Sequence, residues 1–168
     1  MSTRFALVLF AAALPATLAA QNSSPPPKCD SPEHRQFDFW IGEWQVHTAK
    51  GKLAGVNRVE RTLGGCVLHE RYETGGAYAG ESLNIYDASR RVWHQSWVDN
   101  TGLLLVLEGG LKDGSMVLEG TTRDAKGRSL RQRITWTQNA DGSVRQHWES
   151  ADAEGRWTTA FDGRYTRK

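Results

Sequence analysis

The sequence has little proline, and none of it lies where it would interrupt a sheet. All five prolines precede residue 33, and no glycine occurs before Gly42. Because proline cannot donate to a β-ladder, the region after Pro32 is free to form unbroken strands. Long apolar runs are absent too, since the longest covers residues 5–14 and is far shorter than the ~20 residues that span a bilayer. No membrane span is therefore expected.

An excess of charge of one sign is also absent. Lys and Arg total 21 and Asp and Glu total 19, which gives a formal net charge of +2. This balance excludes a strongly basic nucleic-acid binder. The 168 residues, 24% of them charged and 39% hydrophobic, are typical of one soluble globular domain.

The first twenty residues have the pattern of a secretory signal peptide. Arg4 supplies a positive charge, the apolar run 5–14 follows, and small residues lead to a cleavage site after Ala20. A buried N-terminal helix is the alternative. Cleavage would remove Arg4 and leave 20 basic and 19 acidic residues, a net charge of +1. We expect a periplasmic or secreted protein with a disordered, proline-rich tether at 21–28 and a single domain at 29–168.

Cysteine is scarce, with only Cys29 and Cys66 in the chain. In an oxidising compartment these two residues have one possible pairing. Closing a loop of about 38 residues would stabilise the fold by roughly 4 kcal/mol in the chain-entropy model. A reactive thiol is the alternative, but no cationic residue flanks Cys66. The sequence therefore predicts a structural disulfide.

After a short helix predicted at residues 31–37, apolar residues alternate with a period of two, and turn residues recur about every ten positions. Connections this short join neighbouring strands antiparallel. Ten such strands leave two edges unless the sheet closes, so we predict an all-β, up-and-down, lipocalin-like barrel, with a two-sheet sandwich as the alternative. The predicted strands lie near 40–49, 54–62, 66–74, 80–87, 91–99, 103–109, 115–122, 128–138, 143–150 and 156–167.

Aromatic residues share one parity in six of these segments, and that parity should face the interior. The segment with Leu83 and Ile85 is ambiguous, because both of its parities carry apolar residues. Along the predicted interior, Trp and Tyr alternate with amides and carboxylates, which suits a small polar or aromatic ligand such as a glycan fragment or metabolite. A filled barrel with internally paired polar groups is the alternative. The predicted ligand-binding residues are Tyr72, Asn84, Tyr86, Trp93, Gln95, Trp97, Trp136, Gln146 and Trp148.

Two other functions stay open. A carboxylate packed against Trp rings would have a raised pKa, so an acid–base enzyme of the isomerase or cyclase type could use Glu70 and Tyr86. A structural or partner-binding barrel, such as a homodimer, is suggested by residues 103–107, which are apolar on both parities. No cofactor is expected, and no metal site, because the five histidines lie on separate elements without ligand spacing.

The segment FDFWIGEW at 37–44 carries two resemblances. Gly42 and Trp44 resemble the Gly-x-Trp opening of the lipocalin-like (calycin) barrels, in which the Trp closes one end under a cation from the last strand. This implies a structural role for Arg167 or Arg164 as the cation. Together with LGGC at 63–66, SLNIYD at 82–87 and WHQSWVD at 93–99, the segment also resembles a family of small secreted bacterial proteins. That family is a domain of unknown function with a lipocalin-like barrel predicted, so it implies a fold and no activity.

Overall fold

Ten strands follow one another through the computed structural model, which describes residues 28–168, and each strand pairs antiparallel with its neighbours in sequence. The first strand also pairs with the last, which closes the barrel. The predicted all-β barrel is confirmed and the sandwich is wrong. The predicted signal peptide and residues 21–27 of the tether lie outside the described residues. The strands are β1 (Gly42–Thr48), β2 (Leu53–Thr62), β3 (Val67–Glu73), β4 (Ala79–Asp87), β5 (Val92–Asp99), β6 (Leu104–Lys112), β7 (Ser115–Arg123), β8 (Ser129–Gln138), β9 (Val144–Ala151) and β10 (Trp157–Arg167).

The turns stand where the sequence places its glycine, aspartate and asparagine residues. Between β6 and β7, Asp113 and Gly114 have φ angles of 48° and 78°, the left-handed pair that matches the twist of a two-residue hairpin. Between β7 and β8, the carboxylate of Asp124 accepts backbone N–H groups of Lys126 and Arg128, both at 2.9 Å. These local bonds set the register of each hairpin and explain why every strand boundary lies within three residues of its prediction.

The chain before β1 folds into one end of the barrel, and we call residues 31–41 the plug. It contains two short 3₁₀ turns, Pro32–Arg35 and Asp38–Trp40, in place of the predicted helix at 31–37. The rings of Phe37 and Trp40 stack 4.8 Å apart and are fully buried. Phe37 also meets the ring of Trp136 at 5.2 Å, so the plug fills this end with aromatic side chains.

Hydrogen bonds and one covalent link attach the plug to the barrel. The indole N–H of Trp44 donates to the carbonyl of Trp40 at 3.0 Å, and that of Trp93 donates to the amide of Gln36 at 3.2 Å. The predicted disulfide joins Cys29 to Cys66 across 37 positions of sequence. By loop-closure entropy this link stabilises the fold by roughly 4 kcal/mol.

A cation–π contact lies beside the plug where β1 begins. The guanidinium carbon of Arg167 lies 4.5 Å from the ring centre of Trp44, and its Nη1 donates to the carbonyl of Ile41. A Cβ at Gly42 would lie 2.5 Å from that nitrogen, and the φ of 147° there favours glycine as well. Of the two cations considered, Arg164 instead pairs with Asp141. The contact with Arg167 is worth about 1 kcal/mol.

Burial distinguishes the inner face of β4 from its outer face. Leu83 is 51% exposed and Ile85 37%, whereas Ser82 and Asn84 are buried, so the ambiguous segment faces inward with its polar residues. The apolar side chains that β4, β5 and β6 expose on the outside form a patch around Leu83. Leu83 pairs with Ser96 on β5, and Ser96 pairs with Val106 on β6. The homodimer suggested by residues 103–107 stays a prediction that sedimentation can test. The apolar patch consists of Leu83, Ile85, Val98, Leu104 and Val106.

No helix among residues 28–168 has the length and apolar character required to cross a bilayer.

Candidate functional site

The barrel is filled at the plugged end and contains a cavity of about 220 Å³ towards the other end. Strand direction places it there: Trp97 lies two residues before the end of β5, Trp148 in the second half of β9 and Phe161 in the first half of β10, all opposite the plug. Half of the lining residues are aromatic, so flat apolar faces bound most of the space. The lining residues are Glu70, Tyr72, Tyr78, Gln95, Trp97, Leu105, Ile134, Gln146, Trp148, Ala160, Phe161 and Tyr165.

Glycines inside the strands make room for three of these aromatic rings. The indole of Trp97 lies so close to Gly80 that an added Cβ would be 2.3 Å from a ring carbon. The Trp97 ring cannot move away without breaking the hydrogen bond of its indole N–H to Asp99. The glycine therefore determines the position of this ring in the cavity wall. A similar contact occurs at two other glycines, one on the strand next to its aromatic residue and one on the same strand. The three pairs are Tyr72 over Gly55, Trp97 over Gly80 and Phe161 over Gly163.

Asp99 orients two of the aromatic walls from behind. Its Oδ2 accepts the hydroxyl of Tyr78 at 3.0 Å and the indole N–H of Trp97 at 3.3 Å, while Thr101 donates to Oδ1 at 2.6 Å. Burial raises the pKa of Asp99, but these hydrogen bonds outweigh burial and lower the pKa to about 2. Burial, followed by the bond to Asp99, raises the pKa of Tyr78 to about 12. Asp99 is therefore ionised and Tyr78 neutral at physiological pH.

A chain of buried hydrogen bonds runs across three strands to Glu70. Gln95 Nε2 donates to Asn84 Oδ1 at 2.8 Å, and Asn84 Nδ2 donates to Ser82 Oγ at 2.8 Å. Ser82 in turn donates its hydroxyl to Glu70 Oε2 at 2.6 Å. Bonds aligned in this way polarise one another, so the chain holds one oxygen of Glu70 in place.

Glu70 is a carboxylate inside the barrel without a cationic partner among the described residues. Its side chain lines the cavity, yet the residue is only 3% exposed. Burial raises the pKa of Glu70 to about 7, and the hydrogen bond from Ser82 and the nearby side chain of Asn57 offset only part of the effect. Glu70 is thus close to half ionised at neutral pH.

On the opposite side of the cavity, amides accept the hydrogen bonds of aromatic residues. Tyr165 donates its hydroxyl to Gln146 Oε1, and the indole N–H of Trp148 donates to Gln132 Oε1 at 2.7 Å. Burial, followed by the charge of Glu70, raises the pKa of both Tyr165 and Tyr72. These amides therefore pair internally, as the filled-barrel alternative required, but the cavity remains beside them.

The structure brings together only part of the predicted ligand-binding set. Tyr72, Gln95, Trp97, Gln146 and Trp148 line the cavity, and so does Glu70. The other four predicted residues do not line it, because the plug occupies their end of the barrel or, for Asn84, because its side chain lies within the hydrogen-bond chain. The four are Asn84, Tyr86, Trp93 and Trp136.

The predicted acid–base pair of Glu70 and Tyr86 is therefore corrected, because Tyr86 lies elsewhere. Its ring packs edge-on against His34 of the plug at 5.1 Å and lies 6.0 Å from the ring of Trp93. Glu70 faces the cavity, so the two groups do not share a site. Sequence parity placed both residues inside the barrel but carried no information on their depth along its axis.

Several lining residues were not predicted. Phe161 and Tyr165 alternate with Gly163 on β10, and this pattern is visible in the sequence. The same segment was interpreted only as the source of the cation that covers Trp44. Tyr78 lies in the connection between β3 and β4, where no periodicity applies. Asn57 also lies buried near Glu70, and neither polar atom of its side chain has a partner among residues 28–168. The unpredicted lining residues are Tyr78, Leu105, Ile134, Ala160, Phe161 and Tyr165.

The part of the chain that is described contains no group of three or more His, Cys, Asp or Glu side chains able to hold a metal ion. Two of the histidines contact carboxylates on adjacent strands instead. His69 lies 2.6 Å from Glu81, and His94 lies 3.1 Å from Glu108.

The chain was compared with known families and proteins. No protein-family model matches it, and no curated protein matches it. Function is therefore inferred from the geometry of the cavity.

Replacing Gly80 with alanine should displace the wall formed by Trp97. The added methyl group meets the indole ring and the carbonyl oxygen of Val98, and we expect a loss of about 1–3 kcal/mol in the free energy of unfolding. The NMR signal of the Trp97 indole N–H should shift as its bond to Asp99 breaks. Gly110→Ala is the matched control, because nothing lies within 4 Å of a Cβ there. An unchanged indole signal in Gly80→Ala would contradict this assignment.

Replacing Glu70 with glutamine should alter how stability depends on pH. The unfolded chain ionises Glu70 above its usual value of 4.5, whereas the folded chain keeps the proton up to about 7, so the wild type loses stability as pH rises between these values. The glutamine variant lacks this loss. Its unfolding free energy, measured by urea denaturation, should gain about 3 kcal/mol relative to wild type across that interval. A difference independent of pH would show that Glu70 titrates normally.

Proposed function

We propose that this protein binds a small ligand, about one ring in size, in the interior cavity of its barrel. The observation that carries the proposal is the 220 Å³ space between aromatic faces at the end opposite the plug. In another protein, a cavity of about 150 Å³ takes up one benzene molecule. The space here suits a ring with one or two substituents and is too small for a chain of sugars.

The lining favours a ligand with both flat and polar parts. Trp97 and Trp148 offer stacking surfaces, while Gln95, Gln146 and Glu70 offer hydrogen-bonding groups. A single sugar ring or a substituted aromatic metabolite has this combination. We therefore narrow the ligand class from glycan fragments to monosaccharide-sized or single-ring compounds.

We further propose that the protein is exported and belongs to the family of small secreted bacterial proteins that its motifs resemble. The disulfide between Cys29 and Cys66 supports an oxidising compartment, periplasmic or extracellular. The contact of Arg167 with Trp44 beside Gly42 supports the relationship to lipocalin-like barrels.

An acid–base enzyme is the second candidate, favoured by one observation. A carboxyl group with a pKa of about 7 can donate or accept a proton at neutral pH. Tyr72 and Tyr165, whose pKa values both respond to the charge of Glu70, replace Tyr86 as the hydroxyl groups that share its cavity. If this candidate is right, Glu70→Gln should bind the compound but leave it chemically unchanged.

A panel of single-ring compounds tests the binding function. Glucose, phenol, benzyl alcohol, benzylamine and benzoate are titrated by calorimetry and by tryptophan fluorescence. We expect a Kd of about 1 mM or tighter for at least one of them, as compounds of this size allow. Trp97→Ala and Trp148→Ala should each weaken that binding about tenfold, because each removes a stacking surface worth about 1 kcal/mol.

Trp157→Ala is the matched control. This indole lies under the guanidinium of Arg133, 4.2 Å away, and does not line the cavity. Its loss should leave the affinity unchanged. No binding by any member of the panel, or binding indifferent to Trp97 and Trp148, would contradict the proposed function.

A further inference from the structure

The cavity lining has a one-sided charge. Among the described lining residues, Glu70 is acidic and none is basic. One oxygen of Glu70 accepts the hydroxyl of Ser82, and no Lys, Arg or His side chain contributes to its electrostatics. Asp99, ionised behind Tyr78 and Trp97, places a second negative charge near the same space. A buried carboxylate without a counter-ion is costly, and a ligand of opposite charge removes that cost.

Two of the hydrogen-bonding groups left free in the cavity are strong acceptors. The hydroxyl groups of Tyr78 and Tyr165 and the indole N–H groups of Trp97 and Trp148 all donate to acceptors of the protein itself. Gln95 donates an Nε2 proton to Asn84, so its Oε1 is left to accept, as is the carboxylate of Glu70, while Gln146 keeps its Nε2 as a donor. The oxygens of Glu70 and Gln95 therefore favour a ligand that donates several hydrogen bonds, as an ammonium group does.

The aromatic walls favour a cation as well. Ring faces carry a negative quadrupole, which attracts an ammonium or guanidinium group most strongly where water is excluded. Six of the lining residues, Tyr72, Tyr78, Trp97, Trp148, Phe161 and Tyr165, present such rings around the carboxylate.

From these contacts we infer that the cavity selects a positively charged ligand, a protonated amine on a single ring or a comparably small apolar group, with Glu70 as its counter-ion. The inference rests on the proposed function, since it names the class of ligand that the same cavity binds. In this interpretation, the acceptor oxygens of Glu70 and Gln95 and the aromatic rings around them form one cation site.

Protonation of Glu70 should compete with such a ligand. The titratable groups that face Glu70 are Tyr72 on β3, Tyr78 on the connection to β4 and Tyr165 on β10, and their raised pKa values keep them neutral. The neighbours from β2 and β4 are Asn57 and Ser82, which do not titrate. Binding of a cation near neutral pH therefore releases the proton of Glu70 and no other.

Three compounds of matched shape and different charge test the inference. Benzylamine, benzyl alcohol and benzoate are titrated separately into the wild-type protein by calorimetry at about pH 8, where an alkylamine remains protonated. We expect benzylamine to bind at least about tenfold more tightly than benzyl alcohol, and benzoate to bind most weakly, since a desolvated ion pair and cation–π contacts favour the cation.

Two variants locate the origin of that preference. Glu70→Gln keeps the shape of the side chain and an oxygen for Ser82. It should bind benzylamine and benzyl alcohol with about equal affinity. Glu73→Gln removes the same charge from an exposed position three residues further along β3, outside the cavity, and should preserve the preference. Lowering the pH from about 8 to about 5.5 should weaken benzylamine binding to the wild type about tenfold or more, and should have no such effect in Glu70→Gln.

The outcomes separate this inference from the proposed function. Benzyl alcohol binding as tightly as benzylamine would overturn the cation site and leave the binding cavity standing. A preference for benzylamine that survives Glu70→Gln would overturn the role of Glu70. If none of the three compounds binds, and no other member of the single-ring panel binds either, both the cation site and the proposed binding function are overturned.

Discussion

The structure depends on how a ten-stranded barrel fills its interior. A barrel of this width encloses more space than the inward side chains of its own strands occupy. This protein fills one end with a segment from outside the sheet, since Phe37 and Trp40 stack inside it among aromatic strand residues. The Cys29–Cys66 disulfide ties that segment to the barrel. At the other end no such segment enters among the described residues, and the cavity follows from this asymmetry.

The contents of the cavity follow from where the polar chain ends. Gln95, Asn84 and Ser82 pass hydrogen bonds from strand to strand, and the last donor reaches Glu70. One carboxylate oxygen is thereby fixed, while the group as a whole stays desolvated. The same burial that raises its pKa makes it the strongest acceptor facing the cavity. The buried carboxyl group costs stability, as is common for groups that a binding site of the proposed kind requires.

Much of the fold was predictable because its signals are local. Turn residues such as Asp113 and Gly114 mark the hairpins, alternation marks the faces, and two cysteines in a chain predicted to be exported have one possible pairing. Depth along the barrel axis was not predictable, because parity assigns Tyr86 and Trp97 to the same interior although they lie at opposite ends. The plug decides between them, and its path depends on tertiary packing of Phe37 and Trp40. The glycines beneath Tyr72, Trp97 and Phe161 were visible in the sequence, but their role emerges only when a ring is seen to lie over each one.

The central claim is that Glu70 is an uncompensated buried carboxyl group that a cationic ligand ionises. Carbon-13 NMR of the side-chain carboxyl groups, with the Glu70 signal assigned by its absence in Glu70→Gln, measures this titration directly. We expect a midpoint of about 7 in the free protein, which benzylamine lowers and benzyl alcohol does not. A midpoint at the usual value of 4.5 in the free protein, or one that benzylamine leaves unchanged at saturation, would contradict it.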